Sequence, residues 1–98
     1  PWCAIFMNWV AMKAGFERTY TAIARDWLKI GEEVTVPKVG DIVILQRGNS
    51  TWQGHVGIYI NEDGGFVRVL GGNQSNQVNI TKYFKSKVLG YRRLNQVI

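Results

Sequence analysis

The first fourteen residues, PWCAIFMNWVAMKA (1–14), contain only two clearly polar side chains, those of Asn8 and Lys13. A helix that is apolar on nearly every side has to be buried inside a domain rather than lie on its surface. Gly15 follows directly and is a natural residue for the end of such a helix. The stretch therefore predicts a buried N-terminal helix, and the only cysteine of the chain, Cys3, stands in its first turn.

A second helical pattern lies between Tyr20 and Gly31. Five apolar side chains recur there at the spacing of one helix face, namely Tyr20, Ile23, Ala24, Trp27 and Leu28. Polar residues fill most of the intervening positions, and Gly31 would end the element. We therefore expect an amphipathic helix that packs on one side only.

Beyond Pro37 the pattern changes to short runs rich in β-branched and aromatic residues. These runs are DIVILQ (41–46), HVGIYI (55–60), FVRVL (66–70), NQVNI (76–80) and VLGYRR (88–93). The segment NEDGG joins the second run to the third and suits a hairpin, because glycine accepts positive φ. The order of elements predicts an α+β fold in which N-terminal helices pack on a mostly antiparallel five-stranded sheet.

Strand alternation in HVGIYI separates its aliphatic side chains from its histidine. Val56, Ile58 and Ile60 share one face, which we expect to point into the core. His55 then lies on the other face, next to Gly57. Because glycine has no side chain, the only histidine of the chain has space beside it for a partner.

Composition limits the classes of protein that the chain can represent. Its 98 residues, 46% of them hydrophobic, suffice for one domain spanning residues 1–98. One cysteine excludes an internal disulfide, and with one histidine it cannot assemble the ordinary zinc sets. The longest apolar run is too short to span a bilayer, and no basic segment precedes it, so we expect a soluble chain without an export signal. The net charge of +5 favours an anionic partner, such as nucleic acid, a membrane surface or an acidic wall polymer.

Cys3, His55 and Asn73 together would suit nucleophilic catalysis. A helix N-terminus and a nearby imidazolium both lower the pKa of a thiol, and free N–H groups of the first turn could bind an oxyanion. His55 could protonate a leaving amine, provided that a third polar side chain orients its ring. Asn73, just past the run FVRVL, is the best-placed candidate for that role, and Gln74 and Asn76 are weaker ones.

Each of these three residues also has a purely structural interpretation. Free cysteine is among the most buried residue types, so Cys3 could be a packing residue. A lone histidine at the start of a strand can be an ordinary polar residue, and Asn73 beside two glycines can be a turn residue. Only the coincidence of the three favours catalysis.

Seven stretches of the chain stand in the order known from one group of proteins. They are PWCAIFMNWV, AGF, ARDWLKIGEEV, PKVGDIVIL, WQGHVGIYI, VRVLGGNQSNQVNI and VLGYRR. Together they cover essentially the whole chain. By these stretches the sequence resembles the CHAP and NlpC/P60 group of papain-like cysteine peptidases and amidases, and in particular its small bacterial and phage members.

The resemblance implies a papain-like fold and hydrolysis of amide bonds in bacterial peptidoglycan through a thioester. The activity would be that of an N-acetylmuramoyl-L-alanine amidase or an endopeptidase, and no cofactor or metal is implied. Cys3 matches the nucleophile of the group, His55 its general base, and Asn73 the position expected to orient the histidine. Asp41 of the GD pair is expected to brace the start of the first strand.

Four further residues are candidates for substrate binding. Aromatic faces pack well against sugar and peptide planes, so Trp27 and Trp52 could line a cleft. Trp27 also lies on the apolar stripe of its helix and is equally well explained as a core residue. Trp52 follows the polar loop RGNST, so we expect it to be exposed near His55. Gln53 and Gln74 complete the predicted set.

Members of the group usually carry a helix and a loop before the Pro-Trp-Cys motif, whereas two residues precede Cys3 here. We therefore expect a fragment, a processed chain or an unusually short form, with an upstream segment or a fusion partner as a further candidate partner. The expected partner is peptidoglycan, with neither nucleic acid nor membrane, for a monomer that acts at the cell wall. Phage lysis, injection or a missing leader would deliver it there.

Two alternatives stay open at this point. The chain could be a non-catalytic basic module whose exposed aromatic residues bind cell-wall glycan or single-stranded nucleic acid. It could also use the same fold for acyl transfer or isopeptide hydrolysis in a toxin. The reactivity of Cys3 separates the first alternative from catalysis, and the choice of amide substrate separates the second from wall hydrolysis.

Overall fold

The structure, a computed structural model, describes residues 2–97 and is built from one α-helix and six strands. The α-helix is α1 (Cys3–Ala14); the strands are β1 (Glu32–Val34), β2 (Ile42–Gln46), β3 (Gly54–Asp63), β4 (Phe66–Gln74), β5 (Gln77–Phe84) and β6 (Val88–Arg93). Short 3-10 helices cover Ala24–Lys29 and Lys85–Lys87. The sheet has the order β1-β6-β2-β3-β4-β5, with every neighbouring pair antiparallel.

The predicted α+β architecture is confirmed, and the strand count differs by one. Five strands were expected, and each has its counterpart among β2 to β6. The additional strand, β1, has three residues, and its sequence EEV is too short to show strand alternation. The hairpin predicted at NEDGG joins β3 to β4. Since β1 only extends one edge of the sheet beyond β6, it does not alter the centre.

Helix α1 forms where the sequence predicted it, but it is not buried on every side. Gly15 ends it in the left-handed conformation, with φ 80°, and donates its N–H to the carbonyl of Met12. One side of the helix faces outward, because the sheet packs against the opposite side. The outward stripe consists of Ile5, Trp9 and Met12. No helix within residues 2–97 is long and apolar enough to cross a membrane.

The amphipathic helix expected from Tyr20 to Leu28 is replaced by a bend and the shorter 3-10 helix. Asn8 of α1 is the physical reason, because its side-chain oxygen accepts hydrogen bonds from the backbone N–H groups of Thr19 and Tyr20 at 2.9 and 3.2 Å. Its amide group donates to the carbonyl of Thr21 at 2.8 Å. These bonds hold residues 19–21 away from helical geometry, and Tyr20 takes a positive φ of 62°.

Both faces of the central strands are buried, although the sequence predicted a single core face. One core lies between the sheet and the helical segments; it contains Met7, Ala11, Trp27, Ile42, Ile44 and Val56. The predicted inward face of β3 is confirmed there by Val56 and by Ile58, which packs against this core. A second core on the opposite face contains strand residues alone: Val43, Leu45, Tyr59, Val67, Val69 and Tyr91. Every residue of β2 up to Leu45 is consequently buried.

A bulge in β4 changes which of its side chains share a face. Gly71 pairs with Asn79 of β5, but the next pair joins Gln74 to Gln77, so that β4 carries one extra residue. Asn73 lies in the bulge with a positive φ of 61°. Because one inserted residue reverses the alternation, Gln74 occupies the face on which an unbroken strand would place Asn73.

Asp41 fixes the start of β2 to the end of β6, as the sequence predicted. Its carboxylate accepts two hydrogen bonds from the guanidinium of Arg93, at 2.9 and 2.8 Å, and one from the N–H of Lys38 at 2.7 Å. Burial alone would raise the pKa of Asp41, but these donors hold it below its usual value. The carboxylate therefore stabilises the folded state while it is ionised.

We expect Asp41→Ala to lower the free energy of unfolding by about 1.5–3 kcal/mol at pH 7, because a charged hydrogen-bond network is lost. Since the folded-state pKa of Asp41 is depressed, this stabilisation is fully present above the pKa of an unfolded aspartate. It disappears as the pH falls through the folded-state pKa. Urea unfolding gives the free energies of unfolding of the wild-type protein and of Asp41→Ala at pH 7 and at about pH 2. The difference between the two proteins should be smaller at the lower pH.

Asp63→Ala is the matched control, because Asp63 forms an exposed ion pair with Arg68 at 3.1 Å. We expect a loss of less than about 1 kcal/mol from this substitution. Equal losses in the two variants would contradict the assignment of a bracing role to Asp41.

Candidate active site

Cys3 lies in the first turn of α1, where the sequence placed it, but its side chain is not exposed. Its residue surface is 2% accessible. The thiol nevertheless lines a cavity of about 280 Å³, whose walls include Ile23, Ala24, Trp52 and Gln53. The thiol is therefore covered by protein and is reached through this cavity. Pro1, the first residue of the PWC motif, lies outside the described residues.

The surroundings of Cys3 favour its thiolate. Burial raises the pKa of the thiol, but a hydrogen bond with His55, another from the backbone N–H of Val56, and the positive charges of His55 and Arg47 together lower it to about 7. Cys3 is also the first residue of α1, and the N-terminus of a helix favours negative charge in general. A substantial share of Cys3 is consequently ionised near neutral pH.

The imidazole of His55 is oriented by a buried amide. Its Nε2 lies 2.9 Å from Oε1 of Gln74, and both residues are buried. An amide oxygen can only accept a hydrogen bond, so Nε2 must carry the proton and donate it. Nδ1 is then the nitrogen available to the thiol of Cys3. This arrangement allows His55 to take the thiol proton through Nδ1 while its ring stays fixed.

The orientation of the Gln74 amide is itself determined by its neighbours on β5. Its Nε2 donates to the carbonyl oxygen and to Oδ1 of Asn79, both at 2.7 Å, so that Oε1 points to His55. Oε1 also accepts a hydrogen bond from the hydroxyl of Tyr83 at 3.0 Å. The Tyr83 ring packs against the imidazole, with ring centroids 5.3 Å apart. Strand β5 thus supports the histidine from behind.

The structure places Gln74, not Asn73, in the position that orients His55. The bulge in β4 is the reason, because it reverses the alternation between Gly71 and Gln74. Asn73 is partly exposed and lines the same cavity as His55 and Gln74, but it makes no hydrogen bond to the ring, and Asn76 is exposed. Gln74 was also expected to bind substrate, but it is 4% accessible and its amide is occupied by protein groups.

The remaining candidates for substrate binding fall into two groups. Trp52 is 68% exposed and Gln53 lies beside it, and both line the cavity above Cys3. Their binding role remains a prediction. Trp27 is fully buried in the core between helix and sheet, so it cannot contact a substrate. Its position on an apolar stripe was the signal for the core interpretation.

Arg47 and Tyr83 belong to the site but were not predicted. Nη2 of Arg47 lies 3.4 Å from Nδ1 of His55, and Arg47 immediately follows β2, a position that the strand pattern alone does not mark. Tyr83 was not predicted because the predicted strand ends at Ile80, whereas β5 continues to Phe84. Alternation from Asn79 through Tyr83 would have placed Tyr83 on the face of Gln74.

A family model described as CHAP domain matches residues 1–73 of the chain. The matched segment includes Cys3 and His55 and ends one residue before Gln74. No curated protein matches the sequence. Within residues 2–97, no three side chains of the His, Cys, Asp or Glu types stand together so as to hold a metal ion.

We expect the alkylation rate of Cys3 by iodoacetamide to rise with pH around an inflection near 7, since the thiolate is the reactive form and its pKa is about 7. In His55→Ala the inflection should move upward, because a hydrogen bond and a positive charge are lost. Mass spectrometry of the alkylated protein at a series of pH values gives both profiles. The same inflection in the two proteins would contradict the pairing.

A second pair of variants tests which amide orients the ring. Gln74→Leu removes the acceptor of His55 and should shift the alkylation profile upward, whereas Asn73→Gly should leave it unchanged. Glycine suits the positive φ at position 73, so the control should also fold. Circular dichroism checks the fold of both variants. A shift in Asn73→Gly alone would restore the role first assigned to Asn73.

Proposed function

The chain belongs to the CHAP domain family, and we propose that it hydrolyses amide bonds of bacterial peptidoglycan with Cys3 as the nucleophile. CHAP domains are typically cysteine amidases or peptidases that act on the cell wall. We further propose that this chain belongs to the small bacterial and phage members of the group. N-acetylmuramoyl-L-alanine amidase and endopeptidase activities are the two forms of this proposal.

One observation carries the proposal, namely that a thiol with a pKa of about 7, an imidazole and a buried orienting amide meet below an open cavity. A cysteine that served packing alone would not require a histidine beside it or a cavity above it. A non-catalytic binding module is therefore not favoured. The basic charge of the chain supports the proposal as well, since it would attract the protein to anionic wall polymers.

Acylation is the first half of the proposed reaction. The Cys3 thiolate attacks the carbonyl carbon, a carbon–sulfur bond forms, and the carbonyl oxygen becomes an oxyanion. The first N–H groups of a helix have no partner within the helix, and those at the start of α1, beside Cys3, would stabilise the negative charge. The imidazolium of His55 then gives its Nδ1 proton to the leaving nitrogen, the carbon–nitrogen bond breaks, and a thioester remains.

Hydrolysis of the thioester is the second half. His55 takes a proton from water through Nδ1, and the resulting hydroxide attacks the thioester carbon. The carbon–sulfur bond breaks, so that the product leaves as a carboxylic acid and Cys3 returns as a thiolate. Throughout both halves Nε2 stays protonated and bonded to Gln74, which prevents the ring from turning away.

We expect the protein to release soluble fragments from purified peptidoglycan sacculi, and Cys3→Ala to release none, because no other thiol is present. His55→Ala should lower the rate by about 10²–10⁴-fold, the usual contribution of a general acid and base. Mass spectrometry of the fragments identifies the bond that is cleaved. New amino termini on L-alanine would indicate an amidase, and termini inside the peptide an endopeptidase.

Trp9→Ala is a suitable control, because Trp9 is exposed on the outward stripe of α1 and is absent from the walls of both cavities at the site. It should release fragments at the wild-type rate. Release of the same fragments by Cys3→Ala, or no release by the wild-type protein, would contradict the proposed function. In the second case other amide and isopeptide substrates become the next assay.

A further inference from the structure

Arg47 occupies the boundary between two cavities at the surface of the site. On one side lies the cavity of about 280 Å³ that reaches Cys3. On the other lies a cavity of about 460 Å³ whose walls include Tyr83 and Lys87. Arg47 lines both, so its guanidinium can contact a ligand that reacts at Cys3 and extends into the larger cavity.

The two cavities together form an electropositive cleft. None of the described residues that line either cavity is an aspartate or a glutamate. Among residues 2–97, neither Arg47 nor Lys87 lies within ion-pair distance of a carboxylate. By contrast, Lys29, Arg68, Lys85 and Arg93 all pair with acidic side chains. Arg47 and Lys87 therefore bring positive charge to the cleft that no acidic side chain among residues 2–97 neutralises by an ion pair.

The contacts that Arg47 does make are weak. Its Nη2 lies 3.4 Å from Nδ1 of His55, and its Nε lies 3.4 Å from the carbonyl oxygen of Gly54. Both distances exceed those of strong N–H···O bonds, so the guanidinium gives up little when it turns to a better acceptor. A carboxylate is that acceptor, because its two oxygens match the fork of guanidinium donors.

We propose that Arg47, supported by Lys87, forms a carboxylate-binding subsite that selects amide substrates with a free carboxylate close to the scissile bond. This substrate class rests on the proposed function, whereas the anion site itself does not. Lys87 donates to the carbonyl of Gly48 at 3.2 Å, and its charge extends the positive field into the larger cavity. Ser75 and Thr81, on the walls of that cavity, add hydroxyl donors for the remainder of the substrate.

Two thiol reagents that differ in charge test the subsite without any peptidoglycan. Iodoacetate and iodoacetamide alkylate Cys3 by the same displacement, in which a carbon–sulfur bond forms and iodide leaves. Only iodoacetate carries a carboxylate. The ratio of their rate constants cancels the ionised fraction of Cys3, since both reagents require the thiolate. N-acetylcysteine, used throughout as its uncharged amide so that it has no carboxylate of its own to repel iodoacetate, provides in the same buffer the ratio for a thiol without a subsite.

We expect the iodoacetate-to-iodoacetamide ratio to exceed that of N-acetylcysteine by about tenfold or more at low salt, the range of local electrostatic attraction. Arg47→Gln should bring the ratio close to that of the free thiol, and Arg47→Lys should retain part of the gain. Lys87→Gln should reduce the ratio to a smaller extent. About 0.5 M NaCl should also reduce it, because salt screens exposed charges.

Lys82→Gln removes the same charge from the outer face of β5, where Lys82 lies over the ring of Phe66, and should leave the ratio unchanged. The subsite is refuted if the wild-type ratio equals that of N-acetylcysteine, or if Arg47→Gln lowers it no more than Lys82→Gln does. Circular dichroism establishes that each variant is folded, which is expected for an exposed residue such as Arg47.

A second measurement connects the subsite to the proposed function. In the wild-type protein, kcat/KM for peptidoglycan peptides with a free carboxylate should exceed that for the same peptides with the carboxylate amidated by about tenfold. In Arg47→Gln the two values should be nearly equal. If neither peptide is cleaved, the proposed function fails while the alkylation ratio still reports on the subsite. If both are cleaved at one rate, only the subsite fails.

Discussion

A buried hydrogen bond from Nε2 of His55 to Oε1 of Gln74 is the interaction on which the site depends. It determines which nitrogen of the imidazole faces the thiol, and it requires that the amide of Gln74 cannot rotate. The bulge in β4 brings Gln74 to the correct face, and Asn79 of β5 holds the other end of its amide. Elements distant in sequence from Cys3 thereby control its proton-transfer partner.

Burial and activation act against each other at the nucleophile. Removing Cys3 from water disfavours its charged form, yet His55, the backbone N–H of Val56 and Arg47 more than offset this effect, and the pKa falls. Because the thiol is buried, a substrate has to reach it through a cavity. A largely apolar cavity with Trp52 at its rim leads to the sulfur, and a cationic region begins beyond Arg47. One part of the cleft is thus apolar and the other is cationic, and Cys3 lies near the boundary between the two parts.

Local patterns in the sequence predicted α1, the five longer strands and Cys3 at a helix start, because each depends on neighbouring residues. The space expected beside Gly57 is instead occupied by Val69, and Gly71 is the glycine that lies next to Nε2 of His55. The errors arise where distant residues decide the structure. Asn8 reshapes the backbone at Tyr20, so a helical periodicity does not become an α-helix. One inserted residue in β4 exchanges Asn73 for Gln74, and nothing in the letters GGNQ indicates which residue is inserted. Arg47 joins the site only through the pairing of β2 with β3.

The close approach of α1 to the bulged strand has a consequence for tolerance to mutation. A Cβ atom at Gly72 would lie 2.5 Å from the ring of Trp2 and 2.8 Å from Cβ of Phe6. Trp2 caps the helix and Phe6 lies in its first turn, so a larger residue at position 72 would push against the segment that carries the nucleophile. The distance between Cys3 and His55 therefore depends on the absence of a side chain at position 72. One added methyl group, which itself carries no polar atom, would then disturb the chemistry while every reactive residue stayed in the sequence.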